Sequence, residues 1–538
     1  MAVTTKETPS GEELARTLES LVDYAATHGL LATQDRVWAY NALLEDVGLT
    51  GPGPREGWAL AEASADPTFD LDAALAELAE AAVGAGTADD TLSGRDRAAL
   101  RAMGTLMPRP SEVAARFGEL ATAEGPRAAT DWFYQLCCDA GYVRRSAIAR
   151  NVQWVTPTRW GNLEITINLS KPEKDPREIA AAGAAPASGD VYPACQLCIE
   201  NEGYPGRGAA EAHGAHPARQ NLRIVPIELG GERWGLQYSP YAYFNEHCIA
   251  MSAHHRPMHI DHAALTCLLD FVDLLPHYFI GSNADLPVVG GSILSHDHFQ
   301  GGAHEFPMMR AEVEERFSLP GFDGVTGEVL VRPLSVLRLR AGSREALLSA
   351  ADHVIGAWRA WTDESVGVVA QTADGVRHNT VTPVVRRNAD GYEAYLALRC
   401  NIASAEHPLG VFHPHAQWHH IKRENIGLIE VMGLAILPAR LVGELAAVRH
   451  ELVAEAAGAR DADGLVARLE ADPMAAPHAA WACDVFSRRA DELVDDDTAR
   501  EVLRDEVGHV FGHVLEDAGV FKWDDAGRAA LRRFLGSL

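Results

Sequence analysis

Apolar residues at helical spacing dominate the first part of the chain. Residues 1–150 are rich in Ala, Leu and Glu, and their apolar positions recur at helical intervals, as at Leu71, Leu75 and Leu78. Asp70 stands just before that run, and aspartate is a good helix N-cap. The pattern predicts a helical N-terminal lobe.

From Trp154 the pattern changes to alternation. Leu163 to Leu169 alternates apolar and polar residues, as expected of a half-buried strand, and Ala180 to Gly189 is typical of a loop. A helical pattern follows at Asp261 to Phe279, and another runs from Asn425 to Leu538. Further strand-like runs cover 222–228, 234–238, 248–251, 368–371, 380–385 and 394–398. We therefore predict an α+β protein with a helical lobe at 1–150, a first sheet domain at 151–330, and a second at 331–538 that includes C-terminal helices.

Two copies of one motif follow these strand-rich regions. The first is His296-Asp297-His298-Phe299-Gln300, preceded by the Gly-rich run Val289-Gly290-Gly291-Ser292. The second is His413-Pro414-His415-Ala416-Gln417. Their order along the chain suggests two similar αβ units in tandem.

The first motif fits phosphoryl chemistry. In an extended segment His296, His298 and Gln300 share one face, where a neutral imidazole can attack an activated phosphorus. The backbone carbonyl of His296 is a candidate acceptor that would hold the other ring nitrogen. Gln300 would donate to a phosphate oxygen but cannot transfer a proton, which favours group transfer over hydrolysis.

The glycines before the motif support this interpretation. Gly290, Gly291 and Ser292 let backbone amides approach phosphate oxygens closely. The alternative is that His296 and His298 are hydrogen-bonded core residues of a strand; the glycines and Gln300 favour the chemical interpretation.

A CxxC pair suggests a metal site. Cys195 and Cys198 can present two thiolates to one zinc ion, and His247 and His296 could complete a tetrahedral set. Two ordinary reduced thiols are the alternative.

The second motif has several interpretations. His413 and His415 could be another nucleophile, a metal pair with Glu314 and His378, or substrate contacts together with Gln417. Beyond them, Lys422 and Arg423 are either cations for a sugar phosphate or a solvated basic turn.

Composition limits the class of protein. With 47 basic and 75 acidic residues the net charge is −28, which argues against a nucleic-acid binder. No run of 18 uncharged apolar residues and no signal peptide are found, so we expect a cytoplasmic protein without a membrane segment. The 8 Cys fit free thiols or metal ligands better than disulfides.

These motifs together resemble the galactose-1-phosphate uridylyltransferase family (UDP-glucose:hexose-1-phosphate uridylyltransferases), in its longer type 2 branch found in bacteria. The resemblance runs over most of the chain. It is carried by the segments 163–176, 195–204, 244–257, 290–302 and 412–433.

The resemblance implies two tandem histidine-triad-like (HIT-like) units with antiparallel sheets, and a double-displacement reaction. His298 would attack UDP-glucose, glucose 1-phosphate would leave, and galactose 1-phosphate would take the uridylyl group. Gln300 matches a residue that contacts the transferred phosphoryl group, and Asn283 and Ser292 lie near positions used for nucleotide contacts. Asp297 departs from the Pro that type 1 members carry there.

The resemblance also implies metal sites and an assembly. A zinc pattern of the type 1 branch matches Cys195, Cys198, His247 and His296, and a second metal pattern resembles Glu314, His378, His413 and His415. The resemblance implies no organic cofactor. It does imply that the protein forms a homodimer. The competing hypotheses are a dinucleotide phosphorylase or nucleotide hydrolase on the same scaffold, and a zinc-stabilised nucleotide-binding protein without turnover.

Overall fold

The computed structural model describes residues 11–64, 66–170, 192–208, 211, 214–291, 293–458 and 462–538. The predicted loop from Ala180 to Gly189 and the candidate residue Ser292 lie outside the described residues. Helices and strands are numbered here in chain order.

Most of the helices lie toward the two ends of the sequence, and two lie among the strands in its middle. Asp70 caps α3 by accepting a hydrogen bond from the Ala73 amide, as predicted. The helices are α1 (Gly11–Thr27), α2 (Arg36–Asp46), α3 (Leu71–Gly84), α4 (Leu92–Leu106), α5 (Pro110–Ala123), α6 (Pro126–Asp139), α7 (Arg145–Ile148), α8 (His262–Leu274), α9 (Arg344–Ala360), α10 (Leu428–Val431), α11 (Leu441–Ala457), α12 (Ala462–Ala471), α13 (Ala479–Arg489), α14 (Asp496–Ala518) and α15 (Asp525–Leu535).

The strands occupy the middle of the chain. They are β1 (Val152–Thr158), β2 (Gly161–Ile167), β3 (Val225–Leu229), β4 (Glu232–Tyr238), β5 (Cys248–Ser252), β6 (Phe279–Gly281), β7 (His298–Gly302), β8 (Val313–Phe317), β9 (Val325–Leu330), β10 (Val336–Ala341), β11 (Asn379–Asn388), β12 (Gly391–Cys400) and β13 (Leu434–Leu437).

The described residues form two compact units. Unit 1 comprises those within Met1–Ala149, Lys171–Ala242 and Glu246–His255, and unit 2 comprises those within Arg150–Ser170, Tyr243–Asn245 and Arg256–Leu538. The predicted division at 150/151 and 330/331 into three domains stays a prediction. The α+β class is confirmed, with a helical N-terminal region, antiparallel sheets and C-terminal helices.

Unit 1 contains the helical lobe and a meander. Strands β3, β4 and β5 pair antiparallel in sequence order. They match the predicted runs at 222–228, 234–238 and 248–251 to within a few residues.

Unit 2 contains two groups of strands. In one, β1 and β2 pair antiparallel and β13 joins β2 in parallel. In the other, the antiparallel order is β7-β6-β11-β12-β10-β9-β8. Two local predictions were wrong: residues 368–371 form only isolated bridges, and β13 interrupts the region predicted to be entirely helical after Asn425.

Helix α14 covers the smaller group of strands and completes the core beneath it. Val507 and Phe511 of α14 are buried with Leu163 and Ile165 of β2, and burying each such side chain contributes roughly 1.5–3 kcal/mol. A Cβ on Gly508 would lie 2.1 Å from Thr156 Oγ1, so the close approach of helix and strand requires glycine. No helix in the described part of the chain is long and apolar enough to span a bilayer.

The half-buried His420, which lies beside the buried His478, is expected to make the stability of this unit depend on pH. Burial beside His478 lowers the pKa of His420 to about 4, and His420 Nδ1 donates to the Gln417 carbonyl at 2.9 Å. The unfolded chain, with a His pKa of about 6.5, takes up the proton first as the pH falls. Stability is therefore full above about pH 6.5 and is lost between there and pH 4.

We expect His420→Asn, whose amide keeps the donor to Gln417, to flatten this dependence. In the wild-type protein, protonation of His420 in the unfolded chain should lower the free energy of unfolding at pH 5 by about 2 kcal/mol relative to pH 7.5. Urea midpoints of the wild-type and variant proteins at these two pH values measure it. An equal fall of the midpoint in both proteins contradicts the assignment.

Candidate active site

The last three residues of the first HxHxQ motif begin a strand, as predicted, whereas His296 lies at a bend just before it. His298 is the first residue of β7 and is 5% exposed. Gln300 follows on the same face and lies opposite Gly281 of β6, while Phe299 between them is buried.

The ring of His298 is held in one tautomer. Its Nδ1 lies 2.8 Å from the carbonyl oxygen of His296, which can only accept, so Nδ1 carries the proton and Nε2 keeps its lone pair. Burial lowers the pKa of His298, and the hydrogen bond to His296 only partly opposes this. The imidazole is therefore neutral at physiological pH, the form in which it is a nucleophile.

The residue between the two histidines has a structural partner. Arg256 Nε donates to Asp297 Oδ2 at 3.2 Å, and the Asp297 amide donates to the Arg256 carbonyl at 2.8 Å. Burial raises the pKa of Asp297. The aspartate thus fixes the turn into β7.

The segment before the motif, residues 283–291, is called the glycine loop here. A Cβ on Gly290 would lie 2.2 Å from the Ala284 carbonyl oxygen, and one on Gly291 would lie 2.7 Å from Asn283 Nδ2. The structure thus brings Asn283 and Gly291 together. Gly290 is required by the close approach of the backbone to itself, and Gly291 leaves room for the Asn283 side chain.

Sequence reasoning missed the residue that anchors this loop. Asp285 accepts hydrogen bonds from the amide of Ile260 at 3.0 Å and from the hydroxyl of Thr380, and it pairs with Arg359 at 3.2 Å. Its partners lie far away in the sequence, so no local pattern could have indicated it.

One residue of the loop has a strained backbone. Val288 has φ +73°, which is costly for a β-branched residue, about 1–3 kcal/mol. Such strain persists only where surrounding contacts hold it.

The second HxHxQ copy does not repeat the conformation of the first. His415 precedes a short 3₁₀ helix, Ala416–Trp418, and no strand contains this motif. His413 is buried, with its Nε2 3.2 Å from Asn425 Oδ1, and burial lowers its pKa. The backbone amide of His415 donates to Asp517 at 3.0 Å.

The other predicted substrate contacts are spread apart. Lys422 is buried, and its ammonium donates to Glu430 Oε1 at 2.9 Å and to the Ile436 carbonyl at 3.1 Å, so its charge serves an internal ion pair. Arg423 and Gln417 are exposed.

The predicted second metal set is not assembled in the described residues. Glu314 pairs with Arg528 at 2.8 Å. His378 Nδ1 lies 2.9 Å from Asn401 Oδ1, and its Nε2 lies 3.1 Å from Thr372 Oγ1. In the described residues these side chains do not form a group with His413 and His415 whose ligand atoms lie together. The second metal site stays a prediction.

The CxxC pair does form a group able to hold a metal ion. Cys195 and Cys198 lie with His255, all three ligand atoms within 4.8 Å of one another. The Leu197 amide points at Cys195 Sγ at 3.3 Å, and the hydrogen bond from the Cys198 thiol lowers the pKa of Cys195 to about 6.

The histidine of this group is not the predicted one. His255 takes the third place among the described residues, whereas His247 is outside the group and His296 belongs to unit 2. His255 lies in the segment 244–257 that carries part of the family resemblance, but its spacing from the CxxC pair gave no reason to prefer it.

Comparisons with known proteins cover nearly the whole chain. The family model "Galactose-1-phosphate uridyl transferase, N-terminal domain" matches residues 67–257, and the model of the C-terminal domain matches residues 271–464. Galactose-1-phosphate uridylyltransferase of Bacillus subtilis is 46% identical over 522 residues, covering 97% of each chain. That of Halalkalibacterium halodurans is 45% identical over 531 residues, covering 98% of this chain and 99% of the relative.

A similarity to a solved structure is much weaker. The crystal structure of yeast Ap4A phosphorylase Apa2 matches at 12% identity with a TM-score of 0.31, covering 55% of this chain and 85% of that one. A match of this size carries no argument about the site.

Proposed function

This chain belongs to the galactose-1-phosphate uridylyltransferase family, and on that premise we propose that it transfers the uridylyl group of UDP-glucose to galactose 1-phosphate. The products are glucose 1-phosphate and UDP-galactose. His298 is the proposed nucleophile, and the reaction passes through a uridylyl-histidine.

The observation that carries the proposal is the hydrogen bond between His298 Nδ1 and the His296 carbonyl, at 2.8 Å. It leaves Nε2 unprotonated in a buried ring. After attack the ring carries positive charge, and the same carbonyl oxygen stabilises it through the Nδ1 proton.

In the first half-reaction His298 Nε2 attacks the α-phosphorus of UDP-glucose. The Nε2–P bond forms as the bond from the α-phosphorus to the bridging oxygen breaks, and glucose 1-phosphate leaves with that oxygen. In the second half-reaction a phosphate oxygen of galactose 1-phosphate attacks the same phosphorus. The Nε2–P bond breaks, UDP-galactose is released, and the imidazole is again neutral.

The surrounding groups are suited to phosphate rather than to proton transfer. Gln300 lies on the same face of β7 as His298 and can donate an amide hydrogen to a phosphate oxygen of the transferred group. The backbone amides of the glycine loop, which Asn283 and Asp285 hold in place, supply further donors. A glutamine cannot activate water, which supports transfer over hydrolysis.

Exchange of labelled glucose 1-phosphate into UDP-glucose without acceptor tests the proposal. The ping-pong path requires this exchange and one acid-labile uridylyl group per chain. Rapid UMP release without exchange would identify a hydrolase instead. Binding of UDP-glucose with neither reaction would identify a nucleotide-binding protein without turnover.

Zinc is the metal that best fits the Cys195, Cys198 and His255 group. Two sulfurs and one imidazole nitrogen are typical zinc ligands, and the amide directed at Cys195 Sγ suits a thiolate. A bound ion would cross-link the CxxC turn to the end of β5 and so stabilise unit 1. The homodimer and the cytoplasmic location expected from the sequence stay predictions.

We expect purified protein to contain about one zinc ion per chain and Cys195→Ser to lose most of it, because a serine hydroxyl is a poor zinc ligand. Metal analysis by mass spectrometry measures the ion, and a thermal melt measures the accompanying loss of stability. Cys483→Ser, at a half-buried cysteine elsewhere, is the control. Equal zinc content in Cys195→Ser and Cys483→Ser would contradict the assignment.

A further inference from the structure

The glycine loop contacts one segment of unit 2 at three separate places. That segment, residues 401–428, contains the second HxHxQ motif and is called the second-motif segment here. None of the three contacts involves His298 or Gln300.

The first contact is a hydrogen bond at the middle of the loop. Asn401 Nδ2 donates to the Pro287 carbonyl at 3.2 Å. A second hydrogen bond fixes the orientation of the Asn401 side-chain amide, because His378 Nδ1 donates to Asn401 Oδ1 at 2.9 Å. His378 therefore determines which face of the asparagine amide meets the loop.

The second contact lies at the strained residue. A Cβ on Gly410 would lie 3.4 Å from Val288 Cγ1 and 3.2 Å from His413 Cβ, so the backbone of Gly410 packs against both side chains. Gly410 has φ +124°, a conformation that other residues rarely adopt. Two unusual backbone positions thus meet where the loop and the segment touch.

The third contact is at the candidate nucleotide residue. Asn283 Oδ1 accepts a hydrogen bond from the Leu428 amide at 2.9 Å. Since a Cβ on Gly291 would meet Asn283 Nδ2 at 2.7 Å, this one side chain bridges the second-motif segment to the glycine of the loop.

The motif histidines are hydrogen-bonded to other parts of the second-motif segment. His413 Nε2 is hydrogen-bonded to Asn425 at 3.2 Å, and His415 Nε2 donates to the Val411 carbonyl at 3.2 Å. Asp517 accepts from the His415 amide at 3.0 Å, which ties the segment to α14. The histidines therefore hold the segment through hydrogen bonds.

We propose that the second HxHxQ motif is a positioning element: it holds the second-motif segment rigid, and that segment fixes the glycine loop in its strained conformation through Asn401, Gly410 and Leu428. The proposal rests on the function proposed above. It assigns to the second copy a task different from the chemistry of the first. Asn401 and His378 are positioning residues that act on the diphosphate through the loop.

A loop released from these contacts loses its preorganised amides before substrate binds. Ordering the loop again then lowers the affinity for the nucleotide diphosphate. The chemical step is expected to change little, since His298 and its hydrogen bond to His296 are unchanged. The expected signature is a raised KM for UDP-glucose with a nearly constant kcat.

Asn401→Asp tests this directly. A carboxylate keeps the acceptor for His378 but turns an oxygen toward the Pro287 carbonyl, so the donor is replaced by repulsion. We expect KM for UDP-glucose, and the dissociation constant of UDP measured by calorimetry, to rise about tenfold or more. We expect kcat to fall less than about threefold and labelling of His298 at saturation to stay stoichiometric.

Two further variants complete the experiment. Asn388→Asp introduces the same charge at a hairpin turn, where the side chain accepts from the Asp390 amide at 2.9 Å, and should leave both constants unchanged. Asn401→Ala removes the donor without repulsion and should raise KM by a smaller factor. Unchanged KM and UDP affinity in both Asn401 variants, or a loss confined to kcat, would overturn the proposal. Absence of a uridylyl adduct in the wild-type protein would instead refute the function on which it rests.

Discussion

Replacing His298 with asparagine should reduce exchange of glucose 1-phosphate by at least about a thousandfold, because the side chain proposed to form the covalent intermediate is removed. The Asn amide can still donate to the His296 carbonyl. We therefore expect β7 to begin at the same residue and the stability of the fold to be unchanged. Stopped reactions with UDP-glucose, followed by mass spectrometry of the intact protein, measure the adduct.

A second histidine provides the matched control. His353, whose Nε2 donates to the Leu538 carbonyl at 3.0 Å, lies outside the site, and His353→Asn should label like the wild type. Labelling of His298→Asn at the wild-type rate would mean that another residue is the nucleophile. Thermal melts of both variants should agree within a few degrees.

Replacing Gly290 with alanine should lower kcat/KM for UDP-glucose by roughly a hundredfold. The new Cβ would lie 2.2 Å from the Ala284 carbonyl oxygen, a backbone atom that cannot move away without displacing the loop. A displacement of this kind moves every amide donor that we propose to contact the diphosphate, and misplacement by about 1 Å costs that much in rate.

The control for this change is a glycine with room around it. A Cβ on Gly342 meets nothing within 4 Å, and Gly342→Ala should leave the kinetics unchanged. If Gly290→Ala retains wild-type kcat/KM, the loop is not the diphosphate-binding element. Unlike Asn401→Asp, this variant is expected to affect both KM and kcat, because the loop itself is distorted rather than released.

Local features of the fold were predictable from the sequence. The cap at Asp70, a strand beginning near Leu163 and an extended backbone from His298 to Gln300 all depend on neighbouring residues, and each is present as predicted. The predicted half-buried alternation is not, because Thr166 is buried as well as Ile165 and Ile167, and the strand ends before Leu169. The misplaced strand at 368–371 and the unpredicted β13 share another cause. Apolar content shows that a short segment is buried, but strand pairing depends on partners far along the chain.

The same distinction divides the site. The tautomer of His298 depends on a carbonyl two residues away, so the order of residues in the motif was enough to predict it. The role of Asp285 depends on Ile260, Thr380 and Arg359, none of which is near it in sequence. The presence of His255 rather than His247 beside Cys195 and Cys198 has a similar reason. The path of the chain, and not the spacing of the motif, brings His255 to the two cysteines.

The parallel pairing of β13 with β2 has a consequence for biosynthesis. Leu434 lies beside Glu164, so this sheet cannot close until translation has passed the later strand and the ribosome has released it. A contact between residues so distant in sequence is slow to form. The edge of β2 that later pairs with β13 therefore stays unpaired while the intervening residues are synthesised. Nascent chains stalled before Leu434 should therefore bind chaperones at this edge, and full-length chains should not.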